Sequence, residues 1–163
     1  MTNGRDRPSA FTIGLRRSEH GWALALATVG VVVAIDQLTK AWVRATVGPH
    51  EHINIFFGLD ITRVTNTGVA FGALSGSGTL VFVAVLAAMI GLLVYFATHI
   101  NKPGLWLPVG MVFGGALGNL ADRVRIDGVT DFIDPVLWPA FNFADICIVV
   151  GVFGVLYLAE SKR

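Results

Sequence analysis

The stretch TLVFVAVLAAMIGLLVYFAT, residues 79–98, runs for twenty residues without a charged side chain. A helix of about 20 residues crosses a hydrocarbon core of roughly 30 Å, so this stretch is long enough to span a membrane. Residues 141–159 form a second run of sufficient length. Two further runs, residues 22–35 and 105–121, reach that length only when their polar flanking residues are included. The four runs together predict an integral membrane protein of mainly α class with four transmembrane helices.

The composition also indicates a membrane environment. Of the 163 residues, 54% are hydrophobic and 14% are charged, whereas a soluble domain carries about 25% charged residues. The net charge of +1 and the lack of a basic run interleaved with aromatic residues give no indication of nucleic-acid binding. The single cysteine, Cys147, lies in an apolar run and is expected to be a packed side chain.

The first apolar run could alternatively belong to a signal peptide. Arg16 and Arg17 precede residues 22–35 in the way that a basic region precedes the apolar part of such a peptide. The continuation IDQLTKAWVR, residues 35–44, contains no small-x-small cleavage site. Residues 22–35 are therefore expected to remain as the first transmembrane helix.

The basic residues orient these helices. With four spans, one side of the membrane holds Arg5, Arg7, Arg16, Arg17, Lys102, Lys162 and Arg163. The other side holds Lys40, Arg44, Arg63, Arg123 and Arg125. By the positive-inside rule, the first side is the cytoplasm, so both termini are predicted there. Residues 1–18 are expected to form a polar, mobile tail, and residues 19–163 a single membrane domain.

Two long connections then lie on the outer side, at about residues 40–78 and 122–140. Residues 52–64 mix β-branched and aromatic side chains with partial alternation, which is typical of short strands. Residues 65–78 follow with four glycines, which permit sharp turns and close approach of a ligand to the backbone. A small β layer at the membrane surface would suit an extended peptide, and ordinary loop folding would explain the pattern equally well.

Polar residues concentrate at the outer ends of the helices. Asp36 and Lys40 share one face of the first helix. Ionisable groups at bilayer depth usually face a cavity or a partner, although Lys40 could also reach the headgroups as half of an interfacial pair. Asn119, Asp122 and Arg123 are spaced to share one face of the third helix, which indicates a polar site or a helix end that meets water.

Gly114 and Gly118 form a small-xxx-small pair on the third helix. Such a pair allows two membrane helices to approach closely, and this is a sufficient structural reason for both glycines.

Two aspartates lie in apolar surroundings on either side of the last connection. Asn142 is a candidate N-cap of the fourth helix, with Asp145 three residues later. The chain between Asp131 and Asp145 is long enough to leave the membrane and return, so the two carboxylates could face each other. Such a pair shares one proton, and one member activates water while the other protonates a carbonyl oxygen. Asp127 and Asp134 are interpreted as turn and loop residues.

Five ordered blocks resemble one known family over nearly the whole chain, from the first apolar run to the last. They are DQLTK at 36–40, TNTGVAFG at 65–72, GGALGNLADR at 114–123, VTDFID at 129–134 and FNFADICI at 141–148. The resemblance is to the lipoprotein signal peptidases, also called signal peptidase II. It implies an aspartic endopeptidase of the bacterial plasma (inner) membrane. Such an enzyme removes the signal peptide of a prolipoprotein by cutting before its diacylglyceryl-modified cysteine.

Carried over by motif, the catalytic dyad is Asp131 and Asp145 at the outer face of the membrane. The residues expected to bind substrate or to support the dyad are Asp36, Lys40, Asn66, Gly115, Asn119, Asp122, Arg123 and Asn142. The family also implies a β cradle and a mobile surface helix, which would fit residues 40–64. Prolipoproteins, membrane lipids and the inhibitor globomycin are the expected partners of a monomeric protein.

Neither a metal nor another cofactor is expected. The histidines His20, His50, His52 and His99 form no HExxH-like pair.

Two alternatives belong to other classes. A small ion- or proton-coupled transporter subunit would use Asp36, Lys40 and Asp145 as a relay, but a relay predicts acids at several depths. Here the acids gather toward one predicted face. An intramembrane peptidase of the GxGD type is the second alternative, and the sequence contains no GxGD motif.

Overall fold

The computed structural model describes residues 10–49, 51–67 and 77–161, without the side chains of residues 10–17 and 77–84. In these ranges the chain is mainly helical and carries one small antiparallel sheet of strand order β1-β2-β3. The elements are α1 (Ala10–Thr46), β1 (His52–Phe56), β2 (Leu59–Asn66), α2 (Ser77–Thr98), α3 (Trp106–Ile126), β3 (Val129–Pro135) and α4 (Phe143–Glu160).

Each predicted apolar run forms a helix, so the mainly helical class is confirmed. Two segments of the described chain, Ser18–Thr46 and Phe143–Glu160, are long and apolar enough to cross a membrane, with mean hydropathies of 1.7 and 2.0. Only 22% and 17% of the residues in the apolar stretches of these two helices are buried inside the protein, whereas a core helix of a soluble protein is mostly buried. That the protein has four transmembrane helices stays a prediction.

The ends of α1 differ from the expected boundaries. The helix begins at Ala10, so part of the predicted tail of residues 1–18 is helical, and residues 1–9 lie outside the described residues. No proline follows Pro8 until Pro49, and arginine and glutamate are good helix formers, so little in this segment stops the helix.

The first outer connection forms strands, which decides between the two interpretations of residues 52–64. Beyond the end of α1 at Thr46, residues 47–49 and 51–67 contain the β1–β2 hairpin and no further helix. The surface helix implied for residues 40–64 is therefore not found in this part of the chain, and residues 68–76 lie outside the described residues.

The second connection is shorter than predicted. Helix α3 continues through Asp122 to Ile126 and ends at Asp127, whose left-handed φ of 58° gives the predicted turn. Asp134 was expected in a loop, and this was wrong because it lies in β3 opposite Asp60. Alternating β-branched and aromatic residues favour a strand here, and β2 offers the edge with which it pairs.

Glycines on two faces of α3 allow this helix to touch both α1 and α4. A Cβ atom on Gly114 would lie 2.7 Å from Cβ of Val32, and one on Gly118 would lie 2.5 Å from Oδ2 of Asp36, as the predicted close contact requires. On the other face, a Cβ atom on Gly115 would overlap the carbonyl oxygen of Ala144. Helix α3 is thus the central element that fixes the distance between α1 and α4.

A small apolar core packs the sheet against the C-terminal end of α1. Val43 on the last turn of α1, Val47 just beyond the end of that helix and Phe132 on β3 are buried together. Because successive side chains of a strand point to opposite faces, Phe132 faces α1 while its neighbour Asp131 faces the other way. The sheet therefore presents Asp131 toward the start of α4.

Replacing Gly115 by alanine is expected to lower the free energy of unfolding by about 1–3 kcal/mol, because the new methyl group overpacks the α3–α4 contact. The matched control is Gly30→Ala in α1, where a Cβ atom would meet nothing within 4 Å. That change should be neutral or stabilising by up to about 1 kcal/mol. Unfolding in detergent followed by far-UV circular dichroism measures both, and equal stability of the two variants would contradict the packing argument.

Candidate active site

The site is built around the buried ammonium group of Lys40. Its Nζ lies 2.9 Å from Oδ2 of Asp36 and 3.7 Å from Oδ2 of Asp122, and it donates to Oδ1 of Asn119 at 2.9 Å. The Lys40 side chain is 0% exposed, so it does not reach toward the headgroups as one interpretation of the sequence proposed. A buried charge requires such partners, because unpaired it would be strongly destabilising.

Gln37 reinforces this cluster and was not singled out from the sequence. Its Nε2 lies within 3.1–3.2 Å of Oδ2 of Asp36, the carbonyl oxygen of Gly118 and Oδ1 of Asp122. Its Oε1 accepts a hydrogen bond from Arg125 at 2.9 Å. Its position next to Asp36 in the DQLTK block is the feature of the sequence that could have identified it.

Arg44 and Thr130 form a second connection that the sequence analysis missed. The Nη1 of Arg44 donates to Oγ1 of Thr130 at 2.8 Å and lies 3.4 Å from Oδ1 of Asp122. The backbone N–H of Thr130 donates to Oδ2 of Asp122 at 3.0 Å. These contacts tie α1, α3 and β3 together one residue before Asp131. Arg44 follows Lys40 by four residues, and this helical spacing could have indicated it.

Asn142 caps α4 as predicted and holds both aspartates of the expected dyad. Its Oδ1 accepts from the backbone N–H of Asp145 at 3.1 Å, and Oδ2 of Asp145 accepts from the backbone N–H of Asn142 at 3.2 Å. This reciprocal pair is a capping box. The Nδ2 of Asn142 donates to Oδ1 of Asp131 at 2.7 Å. Asn142 therefore contacts both carboxylates, that of Asp131 through its side-chain amide and that of Asp145 through its backbone N–H.

Asn119 connects the dyad to Lys40. Its Oδ1 accepts from both Lys40 and Asn142, the latter at 3.1 Å. Its Nδ2 donates to Oδ1 of Asp145 at 2.9 Å. Since Lys40 can only donate, this contact fixes the orientation of the Asn119 amide and hence which group faces Asp145.

Asp131 is 3% exposed, and burial raises the pKa of its carboxyl group. The amides of Asn66, at 3.0 Å from Oδ2, and of Asn142 oppose this shift by donating to the ionised form, while the nearby charge of Asp145 adds to the increase in pKa. Asp145 is only partly buried. The pair therefore combines an enclosed carboxyl group with a residue that is partly open to solvent.

Most of the predicted site residues meet in this one hydrogen-bonded network. They are Asp36, Lys40, Asn66, Asn119, Asp122, Asp131, Asn142 and Asp145. Gly115 instead lies at the α3–α4 contact. Arg123 is exposed, and its Nη1 donates at 3.4 Å to the backbone oxygen of Asn119, so it points away from the Asp122 carboxylate. Adjacent helical residues are about 100° apart, which separates their surroundings.

No three histidine, cysteine, aspartate or glutamate side chains of the described ranges are grouped so that they could hold a metal ion. The acids of the site are instead partnered by the ammonium of Lys40, by Arg44 and by side-chain amides.

The outward-facing apolar helices and the buried cluster of acids and amides at one end define a helical membrane enzyme. A solved bacterial membrane enzyme, determined in meso at 1.9 Å resolution, superposes with a TM-score of 0.69 at 31% identity, covering 85% of this chain and 94% of that chain. Residues 28–160 match the family model of signal peptidase (SPase) II. The chain therefore belongs to the signal peptidase II family and is a peptidase, which confirms the resemblance found in the sequence.

Curated relatives agree with this assignment. The lipoprotein signal peptidase of Syntrophomonas wolfei is 40% identical over 136 residues, which cover 82% of this chain and 91% of the relative. The lipoprotein signal peptidase of Moorella thermoacetica is 46% identical over 127 residues, covering 75% of this chain and 83% of the relative.

We expect Arg44 and Thr130 to be energetically coupled. In a double-mutant cycle of Arg44→Gln and Thr130→Val, the two losses of unfolding free energy should be non-additive by about 1 kcal/mol, because each change removes the same charge-assisted hydrogen bond. Thr130→Ser, which keeps the hydroxyl group, is the matched control and should retain the coupling. Strictly additive losses, measured by unfolding in detergent, would show that the contact contributes nothing.

Proposed function

We propose that this chain is an aspartic endopeptidase that removes signal peptides from prolipoproteins by cutting before the diacylglyceryl-modified cysteine. The observation that carries the proposal is that Asn142 contacts both carboxyl groups, that of Asp131 through its side-chain amide and that of Asp145 through its backbone N–H. The names of the relatives support the substrate class. No comparable observation supports the function of a transporter or of a GxGD-type peptidase, because the chain belongs to the signal peptidase II family.

The dyad would act on a water molecule and the scissile peptide bond. Because two close carboxyl groups in an enclosed site do not both ionise, the pair would share one proton. The ionised carboxylate takes a proton from water as the oxygen attacks the carbonyl carbon, and the protonated carboxyl group donates to the carbonyl oxygen. When the tetrahedral intermediate collapses, the C–N bond breaks and a proton passes to the leaving amine.

The remaining polar residues would hold the dyad in position. Lys40, with Asp36 and Asp122, orients Asn119, and Asn119 in turn donates to Asp145. Asn66 reaches Asp131 from the neighbouring strand and could also contact an extended substrate beside β2. Carboxyl groups that are fixed by such neighbours need little reorganisation during the reaction. Arg123, which lies outside the network, is proposed to face the substrate at the rim.

The proposed topology has four transmembrane helices, both termini in the cytoplasm, and the dyad at the outer, periplasmic side. It is supported by the basic residues on the opposite side of the predicted spans. It is also supported by the position of the network, which lies at the C-terminal ends of α1 and α3 and the N-terminal end of α4. Residues 1–18 would be the cytoplasmic extension and residues 19–163 the membrane domain.

This position would suit a lipid-modified substrate. The acyl chains of the modified cysteine could remain in the bilayer while the peptide bond reaches the dyad at the membrane surface. The exposed apolar faces of α1 and α4 leave lipid in contact with the protein close to the site. We propose that the protein acts as a monomer on such prolipoproteins and that globomycin blocks the same site.

Asp131→Asn and Asp145→Asn are each expected to reduce cleavage of a diacylglyceryl-modified prolipoprotein by about 100-fold or more, because each removes a proton donor or acceptor of the dyad. Asp127→Asn is the matched control, since Asp127 is exposed at the end of α3 and should leave the rate unchanged. Unmodified precursor should not be cut. Normal rates in all three variants of the purified protein would refute the aspartic mechanism.

Asn66→Ala is expected to move the pH profile of kcat/KM to higher pH by about one unit. The Asn66 amide stabilises the ionised form of Asp131 and lowers its pKa, so its removal lets burial raise that pKa further, and the carboxyl group loses its proton at higher pH. Asn54→Ala, which removes a similar hydrogen bond to Asp60 on the same sheet, is the control and should leave the profile in place. A profile unmoved or displaced to lower pH in the Asn66 variant would contradict this role.

A further inference from the structure

A cavity of about 600 Å³ lies at the end of the molecule opposite to the dyad. It is enclosed by the connection between α2 and α3 on one side and by the last turn of α4 on the other. Its lining includes His99, Asn101, Lys102, Tyr157, Leu158 and Ser161. Helix α4 has 18 residues, so at 1.5 Å per residue this cavity lies about 27 Å from the Asn142 cap. It is therefore separate from the candidate active site.

The polar wall of the cavity is basic. Lys102 is partly buried and its Nζ donates to the backbone oxygen of Ser161 at 3.3 Å. This contact brings the ammonium group to the C-terminus of α4 and uses one of its three donors. Within the described residues, the lining of the cavity includes Lys102 and His99 but no aspartate or glutamate. An anionic group in the cavity would thus lie beside a cation, and no carboxylate of this lining would repel it.

His99 is held in a defined orientation at the same wall. Its Nδ1 lies 3.0 Å from the backbone oxygen of Tyr95, and its ring stacks on the Tyr95 ring at a centroid distance of 4.4 Å. The same Nδ1 lies 2.9 Å from Oγ1 of Thr98, so contacts with α2 hold the ring in place. The amide of Asn101 adds a neutral donor to the lining.

The other wall is apolar and continues along the outside of the protein. Tyr157 and Leu158 line the cavity, and Phe153 and Leu156 follow on the outer surface of α4 with 67% and 58% of their area exposed. A ligand with an anionic head and hydrocarbon chains would place the head beside Lys102 and the chains along this face. A free inorganic anion would use only the polar wall.

We infer that this cavity binds the phosphate group of an anionic glycerophospholipid, with Lys102 pairing with the phosphate. Charge-assisted hydrogen bonds between an ammonium group and phosphate oxygens are among the stronger polar contacts. In the proposed topology this end lies at the cytoplasmic leaflet, where anionic lipids are abundant and basic pockets between helices bind their headgroups. The site would anchor the end of α4 whose other end carries Asp145.

The test is lipid binding to the detergent-purified, delipidated chain, measured by native mass spectrometry with dioleoyl phosphatidylglycerol as the probe. Lys102→Gln should weaken binding by about tenfold, whereas Lys102→Arg should bind like the wild type. The matched control is Arg125→Gln, which removes a cation at the opposite end of the molecule and should bind normally. Melting followed by circular dichroism establishes that each variant is folded.

Two further probes separate the possible ligands. Dioleoylglycerol has the same chains without phosphate and should not compete for the site, and inorganic phosphate at millimolar concentration should not displace the phospholipid. The inference is overturned by equal binding to wild type and Lys102→Gln, or by an equal loss in Arg125→Gln. It is also overturned if dioleoylglycerol competes as well as the phospholipid, or if inorganic phosphate displaces it. None of these outcomes depends on peptide cleavage, so the result is independent of the proposed dyad.

Discussion

The structure depends on the enclosure of one ammonium group. Lys40 is fully buried between α1 and α3, and it is tolerable there because two carboxylates and one amide oxygen surround it. This arrangement requires the helices to lie close together, and Gly118 provides the space, since any Cβ atom there would meet the Asp36 carboxylate. The need to satisfy one buried charge thus sets the separation and the register of two helices.

From Lys40 the constraint passes through amide groups to Asp131 and Asp145, the proposed dyad. Asn119 accepts from Lys40 and donates to Asp145, and Asn142 donates to Asp131 while capping the helix that begins beside it. Arg44 holds the neighbouring Thr130 from the other side of β3. Each carboxyl group is therefore fixed from more than one element. Such preorganisation is what electrostatic catalysis requires, because groups that are already oriented need not rearrange during the reaction.

The two ends of helix α4 lie beside groups of opposite charge. Its N-terminus carries the capping box and the partly exposed Asp145, while its C-terminus accepts from Lys102 beside a basic cavity. Cations near a helix C-terminus and carboxylates near an N-terminus both match the helix dipole. A ligand that fixes the basic end would restrain the same helix that positions Asp145, and this relates the proposed lipid site to the stability of the proposed dyad.

The sequence by itself determined what depends on local spacing and composition. The apolar runs predicted the helices, the four-residue spacing joined Asp36 to Lys40, and Asn142 with Asp145 predicted the cap of α4. Tertiary structure decided which side chains meet across elements. Asp134 entered a strand because β2 offered an edge, Arg123 pointed away from Asp122, and Gln37, Arg44 and Thr130 joined the network. The contacts of Gln37 and Arg44 with Asp122, Arg125 and Thr130 link residues 78–88 positions apart in the chain, which helical periodicity cannot reveal.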